Sequence, residues 1–126
     1  MSNMALVSQI DEAIGAHGLW KMRLRGAIRT GTCDITPYEA SGDCNCKFGK
    51  WLHDPAFDSA HKGGVPHRVV SRVHAEFHRE AGRVLQLALA GDQAAADAAM
   101  AGPFSETSEK LVRALLKWKG ELLQPA

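Results

Sequence analysis

Residues 66–90, PHRVVSRVHAEFHREAGRVLQLALA, form the stretch that most narrows the choice of fold. Apolar side chains recur there with helical spacing, and a proline lies in the expected first turn, so the stretch predicts a long amphipathic helix. The apolar side comprises Val70, Val73, Phe77, Ala81, Val84, Leu85 and Leu89. His74 and His78 lie four positions apart in this helix, on one face. Two imidazoles on an apolar face are costly unless they hold something between them.

The pair within HAEFH differs from the HExxH motif of zinc proteases, in which a glutamate beside the first histidine acts as general base. Ala75 occupies that position here. Glu76 lies about 200° around the helix from His74, so it cannot face a water bound by the two histidines. The sequence therefore argues against this class of protease.

A second long helix is predicted over residues 4–30, before the histidine pair in the chain. Its apolar positions recur at steps of three, four and seven residues, and Gly31 is a plausible helix end. His17 lies in this apolar stripe, where an imidazole without a partner would be unfavourable. His17 is therefore a candidate ligand on a second element.

The C-terminal third predicts two more helices. An alanine-rich helix is expected over residues 93–100, followed by a break at Gly102 and Pro103 and a last helix that begins at Ser105. No segment alternates with a two-residue period, so no sheet is expected. The predicted fold class is all-α, an antiparallel four-helix bundle.

The connection between the two long helices holds one further short helix. Residues 32–46 have turn-forming residues and no period, which predicts a loop. The next segment, CKFGKW, favours one or two helical turns packed through Phe48 and Trp51, ending before Pro55. This additional short helix would carry Cys46 at its start.

Length and charge limit the classes of protein that remain. The chain has 126 residues, which suits one domain over residues 1–126, and its formal net charge is only +1. That balance predicts no binding to nucleic acid. No apolar run reaches the roughly 18 residues needed to span a membrane, and no signal peptide is evident, so we expect a cytoplasmic protein that does not bind membranes.

Four side chains from three elements are candidate metal ligands: His17, Cys46, His74 and His78. Facing helices of a bundle bring such residues together in the core. Three imidazoles and one thiolate suit Zn²⁺, which takes nitrogen and sulfur ligands at four tetrahedral positions. Four protein ligands leave no position for water or substrate, which predicts a structural or regulatory zinc ion and no enzymatic activity.

The order and spacing of these residues also resemble a known family. HGL, then 26 residues, CKFGKW, then 22 residues, HAEFH is similar to the motif of the bacterial chemoreceptor zinc-binding (CZB) domain family. The resemblance implies a four-helix bundle, a 3-His/1-Cys zinc site at His17, Cys46, His74 and His78, and a homodimer. The family motif also places the ligand cysteine directly before KFG, which favours Cys46 over Cys44.

The resemblance further implies a regulatory function. Such domains are usually attached to chemotaxis receptors or diguanylate cyclases and are linked to responses to zinc or to oxidants such as hypochlorous acid. We therefore expect a zinc or oxidant sensor that acts through a signalling protein of one of these classes, here as a stand-alone domain. The alternative is a constitutive structural-zinc module for dimerisation or protein interaction.

The other cysteines and histidines have simpler expected roles. Cys44 could substitute for Cys46 or form a disulfide with it after oxidation, and Cys33 is expected to be an ordinary thiol. His67 is expected to have a capping or surface role. His53 and His61 are expected to face solvent.

Overall fold

The computed structural model describes residues 2–42, 46–57 and 61–124. These residues form six α-helices and one π-helical turn: α1 Ser2–Thr30, α2 Pro37–Ser41, α3 Lys47–Leu52, α4 Val65–Leu89, α5 Gln93–Ala99, the π turn Met100–Phe104 and α6 Ser105–Leu123. No strand occurs in the described ranges. The predicted all-α bundle with an additional short helix is confirmed. None of the described helices is long and apolar enough to cross a membrane.

Helix α4 lies at the centre of the fold and packs against every other helical element. Its apolar side is buried along most of the helix, as the spacing of residues 66–90 predicts: Val70, Phe77, Ala81, Val84 and Leu85 are each 0% exposed. Leu89, also predicted on this side, is 37% exposed at the end of the helix. Burial of large aliphatic and aromatic side chains contributes roughly 1.5–3 kcal/mol each. This helix therefore fixes both the core and the histidine pair on its inner side.

Helices α1 and α6 run antiparallel along the bundle. Near one end, the Asn3 side-chain amide donates to the Leu122 carbonyl at 3.2 Å. Further along the two helices, Lys119 Nζ lies 2.8 Å from Asp11 Oδ1. Such exposed ion pairs contribute little stability by themselves, so the pairing of the two helices rests mainly on their buried faces.

The connection between α1 and α4 contains a helix that the sequence analysis missed. Residues 32–46 were predicted to be a loop, yet α2 lies within them. A capping box begins it: Thr36 Oγ1 accepts the Glu39 N–H at 3.1 Å, and Glu39 Oε1 accepts the Thr36 N–H at 3.0 Å. The box satisfies two backbone donors that a helix start leaves unpaired. A five-residue helix is too short to show an apolar period, which explains the wrong prediction.

Helix α3 is the predicted short helix, and aromatic packing holds it in place. Phe48 and Leu52 are buried. The Trp51 ring lies 4.7 Å from the Phe57 ring and 6.2 Å from the Trp118 ring, measured between centroids. Tryptophan and phenylalanine thus anchor α3 against the bundle, and the residue that precedes the helix, Cys46, lies next to α4.

The junction between α5 and α6 is a π-helical turn, whereas the sequence predicted a break at Gly102 and Pro103. Proline has no N–H, and its ring would collide with the carbonyl four residues earlier in an α-helix. The wider π turn accommodates Pro103, whose own carbonyl accepts the Thr107 hydroxyl at 2.9 Å. The chain therefore passes from α5 into α6 without a loop.

Candidate metal centre

His17 projects from α1 into the bundle and is 4% exposed. Its Nδ1 lies 2.7 Å from the Ala13 carbonyl oxygen, one helical turn earlier. A carbonyl can only accept, so Nδ1 carries the proton and donates it. The lone pair of His17 is therefore on Nε2, which points toward α4.

His74 and His78 lie one turn apart on α4 and are 0% and 1% exposed. His78 Nδ1 lies 3.0 Å from the carbonyl oxygen of Ala40 in α2. By the same reasoning Nδ1 of His78 donates, and its Nε2 carries a lone pair. Two of the three imidazoles are thus held in one tautomer by backbone carbonyls, as metal-binding histidines usually are.

Cys46 precedes α3 as its N-cap residue. Its Sγ accepts the Gly49 backbone N–H at 3.3 Å and lies 3.3 Å from His74 Nε2. Sulfur at an N-cap replaces the oxygen of the usual serine or aspartate and satisfies one of the donors at the helix start. The cap fixes the direction of the sulfur, which faces the histidines.

The four candidate ligand atoms all lie within 4.8 Å of one another. His74 Nε2 is 3.1 Å from both His17 Nε2 and His78 Nε2. Tetrahedral zinc with bonds of about 2.0–2.1 Å places two nitrogens about 3.3 Å apart, so these separations are close to those of a coordinated ion. His74 can donate one proton to only one of the two lone pairs that face it. A cation between them satisfies all three nitrogens, so the donor set fits a metal.

Burial keeps the imidazoles of His17 and His74 neutral. The pKa of His17 is lowered from 6.5 to about 4, mainly because burial penalises the charged form; the bond to the Ala13 carbonyl opposes this, and the charge of His78 adds to it. The pKa of His74 is lowered to about 2 by burial first, then by repulsion from His78 and His17. Both rings therefore have a lone pair available at neutral pH, the state that metal binding requires.

Aromatic rings surround the histidines. The His17 ring has edge contacts with the Phe48 and Phe77 rings at centroid distances of 5.9 and 4.9 Å. The Phe48 ring also packs on the edge of the His74 ring, at 5.2 Å. This apolar shell keeps water from the His17 and His74 nitrogens and strengthens electrostatic interactions inside the site.

His74 differs from the other two histidines in its second nitrogen. Its Nδ1 is buried and has no hydrogen-bond partner among the described residues. The orientation of this ring therefore depends on packing and on whatever Nε2 binds. A buried polar atom without a partner is unfavourable, and a bond between Nε2 and a metal would offset part of that cost.

The sulfur side of the group is more accessible than the nitrogen side. Cys46 is half-buried and lines a cavity of about 500 Å³, together with Trp20, Glu39 and His78. His17 and His74 do not line this cavity. A small molecule could therefore approach the sulfur before it reaches those two imidazoles.

The remaining histidines lie outside the group. His67 was expected to have a capping or surface role, but it is 9% exposed. Its Nε2–H donates to the Leu52 carbonyl at 2.9 Å, and its Nδ1 accepts the Gly63 N–H at 3.3 Å. It thus connects the end of α3 to the start of α4. His53 is exposed as predicted; His61 is half-buried, with Nε2 3.2 Å from Asn3 Oδ1.

The two other cysteines give no further ligand among the described residues. Cys33 is half-buried, and its thiol lies 3.6 Å from Asp34 Oδ1. Cys44, proposed as a substitute ligand or a resolving thiol, lies outside the described residues. Its role therefore stays a prediction.

Sequence reasoning missed the contribution of α2 to the site. The Ala40 carbonyl, which accepts a hydrogen bond from His78, is a backbone group. Every residue type has one, so the sequence does not indicate this contact. The sequence did contain one sign of α2, because Thr36 followed three residues later by Glu39 is the pattern of a capping box. Recognising this pattern would have placed a helix start beside Ala40.

Residues 17–85 match the chemoreceptor zinc-binding domain (CZB) family. The match covers more than half of the chain, and the protein belongs to this family. The matched segment begins at His17 and includes Cys46, His74 and His78. No curated protein and no solved structure matches the chain. The family is described by zinc binding and not by a catalytic activity, in agreement with a His₃Cys group that can hold a metal.

Proposed function

We propose that this chain is a zinc-binding regulatory domain of bacterial signalling, with His17, Cys46, His74 and His78 as its zinc ligands. The observation that carries the proposal is the convergence of three imidazole nitrogens and one sulfur from α1, α4 and the start of α3. Bound zinc would tie these elements together and so contribute its binding free energy to folding. The closed ligand set supports a regulatory or structural role without catalysis.

Sensing of oxidants is the finer part of the proposal, and it rests on Cys46. The sulfur lines the cavity that also contains Trp20, so a small oxidant can reach it. A zinc-bound thiolate is deprotonated and nucleophilic. Attack of the thiolate on hypochlorous acid forms the S–O bond of a sulfenic acid and releases chloride. Loss of the thiolate would weaken the zinc shell, and the shift of α3 would change the surface presented to a signalling partner.

The first test measures zinc content and its release. The purified protein should carry about one Zn²⁺ per chain, and stoichiometric hypochlorous acid should release it. Cys46→Ser should lack the oxidant-triggered release, whereas Cys44→Ser and the matched control Cys33→Ser should keep it. Atomic emission gives the zinc content, and a zinc-sensitive dye follows the release.

Each other outcome of this test identifies a specific error. Release that survives in Cys46→Ser and disappears in Cys44→Ser would show that Cys44 is the oxidant target. A parent protein that carries zinc but keeps it under hypochlorous acid would favour the alternative function, a constitutive structural-zinc module. That alternative has support of its own, because the His17 and His74 rings are enclosed by aromatic side chains. A parent protein without zinc would contradict both functions.

The proposal includes the assembly of the domain. We propose that residues 1–126 form one cytoplasmic domain, that it is a homodimer, and that its partner is a signalling protein of the chemoreceptor or diguanylate cyclase class. Apolar side chains on the outside of α6 support self-association: Leu116 and Leu123, seven residues apart on one face, are 52% and 53% exposed.

The homodimer can be tested on the zinc-loaded protein. Light scattering across the micromolar range should give twice the mass of one chain, because the exposed apolar face of α6 would be covered by a second copy. Leu116→Glu combined with Leu123→Glu should lower the mass toward that of the monomer, whereas the control Leu19→Glu on α1 should not. A monomeric parent protein would contradict the homodimer.

A further inference from the structure

Helix α2 approaches α4 more closely than side chains normally allow, and the contact occurs at Gly82. A Cβ atom added at Gly82 would lie 2.8 Å from Ser41 Cβ, 2.9 Å from the Pro37 carbonyl oxygen and 3.2 Å from Ser41 Cα. Two of these three atoms belong to the backbone of α2, so they cannot rotate away. Any residue larger than glycine at position 82 would therefore push α2 outward.

The same approach brings the Ala40 carbonyl to His78. His78 and Gly82 are four residues apart on α4, so they lie on one face, directly under α2. Ala40 is 1% exposed, and its carbonyl oxygen lies 3.0 Å from His78 Nδ1. An outward shift of α2 by a few tenths of an ångström or more would lengthen this hydrogen bond.

Helix α2 depends on this docking for its position. Its five residues are too few for a helix that is stable alone, and its start is held by the capping box of Thr36 and Glu39. The contact with α4 therefore determines the position of α2. At Gly82 the two helices leave no room for a side chain between them.

We propose that Gly82 is a positioning residue for zinc: it admits α2 against α4, which holds the Ala40 carbonyl on His78 and keeps Nε2 of His78 directed at the metal. The proposal rests on the zinc-binding function proposed above. A backbone carbonyl that accepts the second N–H of a zinc-bound imidazole fixes the tautomer and raises the basicity of the ligand nitrogen. Loss of such a partner typically weakens metal affinity about 10- to 100-fold.

The test compares Gly82→Ala with Gly120→Ala. A Cβ at Gly120, which lies within α6, meets no atom within 4 Å, so this control adds the same methyl group without a collision. The zinc dissociation constant is measured by competition with a chelator. It should rise about 10- to 100-fold in Gly82→Ala and stay within about twofold of the parent value in Gly120→Ala. In ¹H–¹⁵N spectra, the His78 Nδ1–H should exchange with water faster in Gly82→Ala only.

A second variant tests the same proposal through the exposed start of α2, where a change cannot disrupt the core. Thr36→Ala removes the capping box and should weaken zinc binding about fivefold, the factor expected from the loss of one helix cap. If Gly82→Ala does not fold, the zinc dissociation constant of Thr36→Ala tests the proposal in its place. A parent protein that binds no zinc would overturn the function and this inference together. A parent that binds zinc, with unchanged dissociation constants in Gly82→Ala or, where that variant is unfolded, in Thr36→Ala, would overturn this inference alone.

Discussion

Replacing His74 by alanine should weaken zinc binding about 100-fold or more, the largest effect of any single substitution that we expect. The binding free energy of a structural zinc ion is about 10–16 kcal/mol, shared by four ligands, so one ligand corresponds to roughly 3 kcal/mol. His74 also contacts every other ligand of the group, because its Nε2 lies within 3.3 Å of both other imidazoles and of the sulfur. Competition with a chelator measures the change.

His67→Ala is the matched control for this prediction. His67 lies on the same helix two turns earlier, is also buried, and donates to the Leu52 carbonyl. Its loss should lower the free energy of unfolding, because that buried carbonyl loses its partner, while zinc affinity stays close to the parent value. Equal zinc affinities in His74→Ala and in the parent protein would rule out the four-ligand site.

The zinc-free protein should lose stability as the pH falls from 7 to 5. In the folded chain the pKa of His17 is about 4 and that of His74 about 2, because burial disfavours the charged form. In the unfolded chain both imidazoles titrate near 6.5. Below that pH the unfolded state binds more protons than the folded state, so acid favours unfolding. Each ring lowers the free energy of unfolding by up to about 2 kcal/mol over this range.

Urea unfolding at pH 7 and pH 5, with a chelator present, measures this effect. The free energy of unfolding should differ less between pH 7 and pH 5 in His17→Phe, by up to about 2 kcal/mol, because one of the two buried imidazoles is gone. The control His53→Gln should leave the difference unchanged, since His53 is exposed. A zinc-free protein with the same free energy of unfolding at both pH values would contradict the prediction. Zinc binding should weaken in the same direction, because unfolding of the zinc-free chain competes with zinc binding.

The sequence was sufficient to predict the parts of the fold that depend on side-chain periodicity and ligand spacing. The buried stripe of α4 follows directly from the apolar positions of residues 66–90. His17, Cys46, His74 and His78 were named as one group from residue type and spacing, and the structure brings them together. That these four residues bind zinc stays a prediction until the metal is measured.

The parts that the sequence could not predict depend on the backbone. Helix α2 has no apolar period, and its contribution to the site is the carbonyl of Ala40, which every residue type possesses. The close approach at Gly82 joins two segments that are far apart in the chain. A glycine inside a helix does not indicate which segment packs against it. The burial of His67 was missed for a similar reason, since one of its partners is the Leu52 carbonyl.

The π turn at Met100–Phe104 restricts how the length of this chain can change. A π turn closes its hydrogen bonds over five residues and not four, so it is equivalent to one extra residue in a helix. The π turn already accommodates that residue, so one further residue inserted beside Ala101 would rotate α6 by about 100° relative to α5 and carry Leu111 and Trp118 away from the core. An insertion that would be harmless in a surface loop is therefore disfavoured at this junction, because the junction determines which side of α6 faces the core.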